Sequence, residues 1–310
     1  MIEEETTAFK KSGDLALRLN LYQVSEYEKY RKFLDTTNVK ENYPIFIIGQ
    51  PIEGKVIIES HKEGKISCKS LMVKFRNLIY IYHSGTQKQK IKEKASPILT
   101  DNKIDVLIKY SHEIQFIPPT SLGVSYFSDT FNKIFQIKAV LKTGFSTTTV
   151  VSQKVILINP ISPSLTKPFS MFIEEKDYKA KLSFNKSEYS ITDEINGTII
   201  IERNDTCDDS IDQCYISFVA SEAAGNETKD QSFCKYQLTD GLPKSGTKSK
   251  FSLQLSKMHL WAYTTPCDSL FKVTYKFEFN VAKKVIKKDS KQIIIKEVHP
   301  VQLYLKSLQQ

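Results

Sequence analysis

Cysteine is scarce in this chain, five in 310 residues, and the set is odd: Cys68, Cys207, Cys214, Cys234 and Cys267, with no CxxC pair. That spacing excludes a disulfide framework and a zinc ribbon, and the five read as reduced thiols. Glycine and proline are also few, 11 of each, which excludes collagen and low-complexity disorder. No apolar run approaches the roughly 20 residues of a membrane-spanning helix. The opening MIEEETTAFKKSGD is acidic and lacks the apolar stretch of a signal peptide, so the expected setting is the cytosol.

Catalytic patterns are missing as well. The histidines (His61, His83, His112, His259, His299) stand singly, so no local pair brings two ring nitrogens to one metal. There is no Gly-x-Ser-x-Gly elbow for a nucleophile and no glycine-rich phosphate cradle ending in Gly-Lys-Ser or Gly-Lys-Thr. Cys207 and Cys214 flank DDSIDQ, which reads as a solvated turn, and the acidic stretch 205–212 lacks the central glycine and closing glutamate of a calcium loop. The expectation is no enzyme, no cofactor and no metal.

What is present is an ordinary globular composition, 40% hydrophobic and 25% charged, with a net charge of +9. The charge permits weak attraction to anionic surfaces or acidic partners. Its densest stretches, 88–94 and 283–291, carry no interleaved aromatics, so nucleic acid is not an expected partner. Period-two alternation runs from end to end, beginning with Leu15, Leu17, Leu19 and Leu21, and continuing through Lys55–Glu59, Leu71–Tyr82, Ile104–Lys109, Ile134–Leu141 and Val150–Ile158. Later segments are Tyr178–Phe184, Gly197–Glu202, Cys214–Val219, Lys250–Leu255, Phe271–Val281 and Gln292–Val298. Short strands between turn residues predict an all-β sandwich architecture.

Two such sandwiches are expected in tandem. Gly54-Lys-Val-Ile-Ile-Glu59 reappears as Gly197-Thr-Ile-Ile-Ile-Glu202, and at the same offset of 143 Val73 and Phe75 align with Ile216 and Phe218. Pro160, Pro163 and Pro168 lack ladder donors and mark a boundary. The expected division is a flexible amino terminus (1–13), a first sandwich (14–160), a linker (161–169), a second sandwich (170–300) and a tail (301–310). Ser25–Leu34 reads as a surface insertion. The loop Asp240-Gly-Leu-Pro-Lys-Ser-Gly246 stands out, because two glycines and a proline fix a bend beside Leu238 and Leu242; its other reading is a plain hairpin turn.

Specific strings bring a resemblance. NKSEYSITDEINGTI from Asn185 resembles NKSKYHLKDVIVGKI of the vacuolar protein sorting-associated protein 26 family, the arrestin-like subunit of retromer. KYQLTDGLPKSG from Lys235 is similar to that family's KYEIMDGAPVKG, and FKVTYKFEFNV from Phe271 to its FSVRYFLNLVL. In the first half FIIGQPIEGKVII from Phe46 resembles LFYDGESVSGKVN. Trp261-Ala-Tyr-Thr-Thr-Pro266 also looks like the sister subunit of the retriever complex. The resemblance implies an arrestin-like fold and a non-enzymatic coat subunit, cytoplasmic and peripheral on endosomal membranes, in cargo sorting and retrograde transport. It implies that Leu238, Thr239, Asp240, Gly241, Leu242, Pro243, Lys244, Ser245 and Gly246 meet the α-helical solenoid subunit. Met171, Phe172 and Ile173 would face cargo tails and sorting nexins. Thr239 replaces a methionine of the family pattern, and Ile48 an aspartate associated with docking a sorting nexin's PDZ domain, so that partner is not carried over. An arrestin-domain signalling adaptor is the competing class, but Pro118-Pro119 continues as Thr-Ser-Leu, without the tyrosine that WW domains read.

Overall fold

The computed structural model describes residues 3–24, 30–31, 43–83, 86–92, 96–144, 147–161, 167–174, 178–203, 211–240, 244–258, 260–261, 270–284 and 291–306. The chain divides into two units, Met1–Asn159 and Pro160–Gln310. Both are built from strands, two packed sheets to a unit.

In the first unit β1 (Glu3–Ser12), β2 (Leu15–Val24), β4 (Ile52–Ser60) and β8 (Lys109–Phe116) form an antiparallel sheet in that order. The second sheet runs β3 (Ile45–Ile47), β11 (Thr148–Ile158), β10 (Phe131–Lys142), β5 (Ile66–His83), β6 (Thr86–Lys92). β7 (Ser96–Val106) pairs the other stretch of β5, and β9 (Tyr126–Phe127) pairs β10. Alternation sets the packing: Leu17, Leu19 and Leu21 of β2 and Val56 and Ile58 of β4 are fully buried and share one core with Leu71, Val73, Phe135, Ile137 and Leu157 of the facing sheet. Phe75 ties the layers, its ring 4.9 Å from Phe116 and 5.4 Å from Phe135.

The second unit repeats the plan. β13 (Phe169–Glu174), β14 (Tyr178–Phe184), β16 (Glu194–Arg203) and β19 (Thr247–Gln254) make the four-stranded sheet. The other runs β12 (Pro160–Ile161), β21 (Lys291–Lys306), β20 (Phe271–Lys284), β17 (Ile211–Ala224), β18 (Glu227–Asp240), with β15 (Glu188–Ser190) also on β21. Phe184 joins the layers, 5.0 Å from Phe277 and 5.6 Å from Phe251. The duplicated strings occupy equivalent places: β4 and β16 are each third in a four-stranded sheet, and Phe75 and Phe218 each pair with the next strand of the other sheet, opposite Ile137 and Phe277. β3 runs parallel to β11 as β15 does to β21.

Four expectations need correction. Residues 3–12 are not a flexible end but a strand paired along its length with β2; Ala8 packs against the core, and only the polar composition hid the strand. Residues 301–306 are not a tail, because β21 continues through them, pairing Val301 with Tyr275, Leu303 with Tyr189 and Leu305 with Pro160. Of the linker 161–169, Ile161 lies in β12 and Phe169 opens β13, while 162–166 lie outside the described residues. Ile104–Lys109 is not one strand: β7 belongs to one sheet and β8 to the other, so the chain crosses between layers at Leu107 and Ile108, which are 65% and 78% exposed. Of the insertion from Ser25, Tyr30 is buried and Arg31 donates to the Tyr43 carbonyl at 2.9 Å; residues 25–29 and 32–42 lie outside the described set.

Candidate interaction surfaces

The loop expected to meet a helical partner is not a hairpin turn. It leaves β18, at the edge of one sheet, and enters β19, at the edge of the other. Two bulges kink β18 against β17: Cys214 pairs Thr239 and Tyr215 pairs Gln237, leaving Leu238 as the extra residue, and Phe233 is skipped in the same way. Leu238 is half-buried. Thr239 and Asp240 complete β18 through their backbone, with their side chains outside the described set, as are Gly241, Leu242 and Pro243 entirely. Lys244, Ser245 and Gly246 are exposed. Gly246 has φ +75° and the Thr247 N–H donates to the Lys244 carbonyl at 3.0 Å, the turn chemistry that demands glycine at its third position. The Gly246 N–H also donates to the Ile201 carbonyl at 2.8 Å, fastening the turn to β16.

Met171, Phe172 and Ile173 do not form a single patch. Alternation on β13 buries Met171 and Ile173 in the core and leaves Phe172 69% exposed. Among the described residues β13 is an edge strand paired with β14 alone, so its outer backbone and the Phe172 ring are what it offers a partner.

NKSEY, the string that carried most of the resemblance, is a self-bonded corner. The buried Tyr189 hydroxyl donates to Asn185 Oδ1 at 2.9 Å and accepts from the Lys186 N–H at 3.3 Å. Burial pushes this phenol up to about 12. Lys186 Nζ pairs Asp193 Oδ2 at 2.9 Å, and the same carboxylate oxygen accepts from the Ser190 N–H at 3.2 Å. Trp261 is likewise structural, 3% exposed, with its carbonyl accepting from Tyr275 Oη at 2.6 Å; residues 262–266, the rest of that string, lie outside the described set.

Sequence reasoning missed a duplicated surface motif. On the outward face of the first unit's four-stranded sheet Phe9, Arg18, Ile57 and Ser111 lie in one cross-strand row; on the second unit's they are answered by Phe172, Lys181, Ile200 and Lys248. The cation covers the exposed ring in both, Arg18 Cζ 4.9 Å from the Phe9 centroid and Lys181 Nζ 5.2 Å from that of Phe172. Ile57 and Ile200 keep the offset of 143, but Arg18 and Lys181 are 163 apart, because the first unit carries 20 more residues between these strands. An ungapped repeat search finds one half of the motif and loses the other.

No protein-family model and no curated protein matches the chain. Among solved structures it is similar to the crystal structure of squid arrestin, at 12% identity and a TM-score of 0.44, over 98% of this chain and 99% of that one.

Among the described residues no three His, Cys, Asp or Glu side chains gather where a metal could be held, and no helix is long and apolar enough to cross a membrane. Cys68, Cys214 and Cys234 are in no disulfide, and burial pushes Cys68 and Cys234 up, away from thiolate reactivity. Cys207 and Cys267 lie outside the described set.

Proposed function

We propose that the chain is a non-enzymatic, retromer-type coat subunit, acting in endosomal cargo sorting and retrograde transport. In this reading the second sandwich binds the α-helical solenoid subunit through the loop from Leu238 to Gly246, and sorting nexins and cargo tails are met at β13. The setting is cytoplasmic and peripheral on endosomal membranes. The observation that carries it is the two described ends of that loop: Leu238, the extra residue of a bulge in an edge strand, and the exposed turn at Lys244–Thr247 that Gly246 and its bond to β16 hold in one bend. A turn already fixed in one bend loses little freedom on binding, which suits it to anchor a helical surface. The open edge of β13 suits an extended cargo segment, main-chain bonds giving affinity and Phe172 a side-chain contact.

The test is capture of the solenoid from cytosol by the intact protein. Leu238→Asp places a charge in the contact and should cost on the order of 2 kcal/mol, weakening capture at least about tenfold. Lys88→Asp in β6, in the other unit, should leave it nearly unchanged. Equal capture by Leu238→Asp and wild type sinks the assigned interface; loss of folding makes Leu238 a packing residue instead. The second reading, the arrestin-like subunit of retriever, rests on the Trp261 string, and the identity of the captured solenoid decides between them.

A further inference from the structure

The two outward faces that share the aromatic row differ in how the bases of that row and of the next are answered. In the first unit the bases of the aromatic row and of the next, Thr7–Asn20–Lys55–Glu113, are answered: Arg18 pairs Glu59 at 3.1 Å and Lys55 pairs Glu113 at 2.8 Å, while Lys11 and Lys109 stand exposed in the row beyond. In the second unit the row through Phe172 and the next, Ser170–Ser183–Thr198–Lys250, contain Lys181, Lys248 and Lys250 and no carboxylate. All three lysines are exposed, and none has an acidic partner among the described residues. Acids stand in flanking rows, where Glu174 is held by Lys179 at 2.6 Å, Glu202 sits opposite the same Lys179 and acts on it electrostatically, and Glu194 accepts from the Ser252 hydroxyl.

We propose that this face of the second unit is a contact for an anionic membrane surface. Strands about 4.8 Å apart put Lys181 and Lys248 roughly 10 Å from each other, and Lys250 stands about 7 Å along its strand from Lys248. Three ammoniums so separated on an open sheet do not converge on one phosphate; they meet several headgroup charges in a plane, each adding its own increment. The exposed Phe172 ring beside Lys181 supplies the amphipathic edge that settles at headgroup depth. An extended polypeptide added along β13 would meet Phe172 but not Lys248 and Lys250, which stand on β19 at the other end of the sheet. The first unit's face, where Arg18 and Lys55 of the same two rows are paired, is the internal contrast. The contact uses none of Leu238 to Gly246, although Lys248 follows that turn by two residues, and it shares Phe172 with the cargo reading; vesicles without solenoid or cargo test it apart from both.

The experiment is sedimentation of the full-length chain with vesicles of phosphatidylcholine alone or mixed with phosphatidylserine. The wild type is expected to bind only the mixed vesicles and to release in high salt. The triple variant Lys181→Gln, Lys248→Gln, Lys250→Gln should bind at least about tenfold more weakly. The triple variant Lys10→Gln, Lys11→Gln, Lys62→Gln, which removes equal charge from exposed positions of the first unit, should bind within about twofold of wild type. Thermal melts accompany each variant, and the single substitution Lys248→Gln, expected to lose part of the binding, serves if the face triple unfolds. The proposal is overturned if the wild type ignores mixed vesicles, if the face triple or the single variant binds undiminished, or if both triples weaken alike, which would assign the attraction to diffuse charge. Binding of polyglutamate in place of vesicles, lost in the face triple, overturns it in favour of an acidic protein partner.

Discussion

Two glycines hold the same station in the two sandwiches, and each keeps open a space that a methyl group would fill. A Cβ on Gly54 would come 2.4 Å from the backbone carbonyl oxygen of Asn20 on the neighbouring β2. One on Gly197 would enter the ring of Phe251 on β19, a buried ring packed edge-on against Phe184 at 5.6 Å. Neither obstacle yields cheaply, the first because it is main chain and the second because the ring sits inside a close-packed aromatic cluster. Gly54→Ala and Gly197→Ala should each destabilise by roughly 1–3 kcal/mol, less the ~0.5 kcal/mol gained from a stiffer unfolded chain. Melting should fall by several degrees in both variants. Gly144 is the control, since its Cβ would meet Thr147 at an ordinary 3.5 Å, and Gly144→Ala should leave the melting temperature unchanged or slightly raised. Equal melting of Gly197→Ala and wild type would mean that Phe251 has room to move.

At the scale of elements, legibility followed the depth of burial on one face. β14 was read as Tyr178–Phe184 and is observed with those bounds, because every second residue from Tyr178 to Phe184 is in the core. β1 went unread because an edge strand held by backbone pairing to β2 needs almost no apolar pattern. The break at Leu107 and Ile108 was invisible because the change of sheet happens inside an apolar run. The candidate loop was located, but the bulge that sets Leu238 apart is a matter of register with β17, and register is a property of two strands together. β21 gives the sharpest test at this scale. Ending the chain after Val298 would remove the pairing to β15 and β12 and the last pairs with β20. Each lost ladder bond is worth about 1 kcal/mol net, so the second unit should lose roughly 2–5 kcal/mol and become protease-sensitive. A true tail could be cut with no change in urea midpoint, and that result would contradict the observed pairing.

Across the whole molecule, charge makes stability depend on pH at both ends. Each sandwich has a carboxylate held below its ordinary range: Asp105 in the first by hydrogen bonds from Lys65 and then Ser67, Asp230 in the second by the Ser221 hydroxyl and then Lys276. An unfolded aspartate titrates near about 3.9. A group with a lower folded pKa contributes fully above that value and loses its contribution as pH falls through the folded pKa. Lysines act in the opposite sense. The hydrogen bond that Lys179 donates to Glu174 raises Lys179, and although burial pulls Lys276 down, its pairing with Glu278 and Asp230 outweighs this and raises it. Their contributions hold below the unfolded lysine value near about 10.4 and fade as pH climbs through the folded ones. The acid limb can be isolated with Asp230→Asn, which removes the charge while keeping the shape and the contact with Ser221. At about pH 7 the variant should unfold at lower urea than wild type; at about pH 3 the two midpoints should draw together, because the wild-type carboxylate is then losing the charge that made the difference. Asp230 is largely exposed, so the gap should also shrink in high salt. A gap that stays constant from pH 7 to pH 3 would mean that packing, and not the charge of Asp230, holds this corner of β18 against β17 and β20.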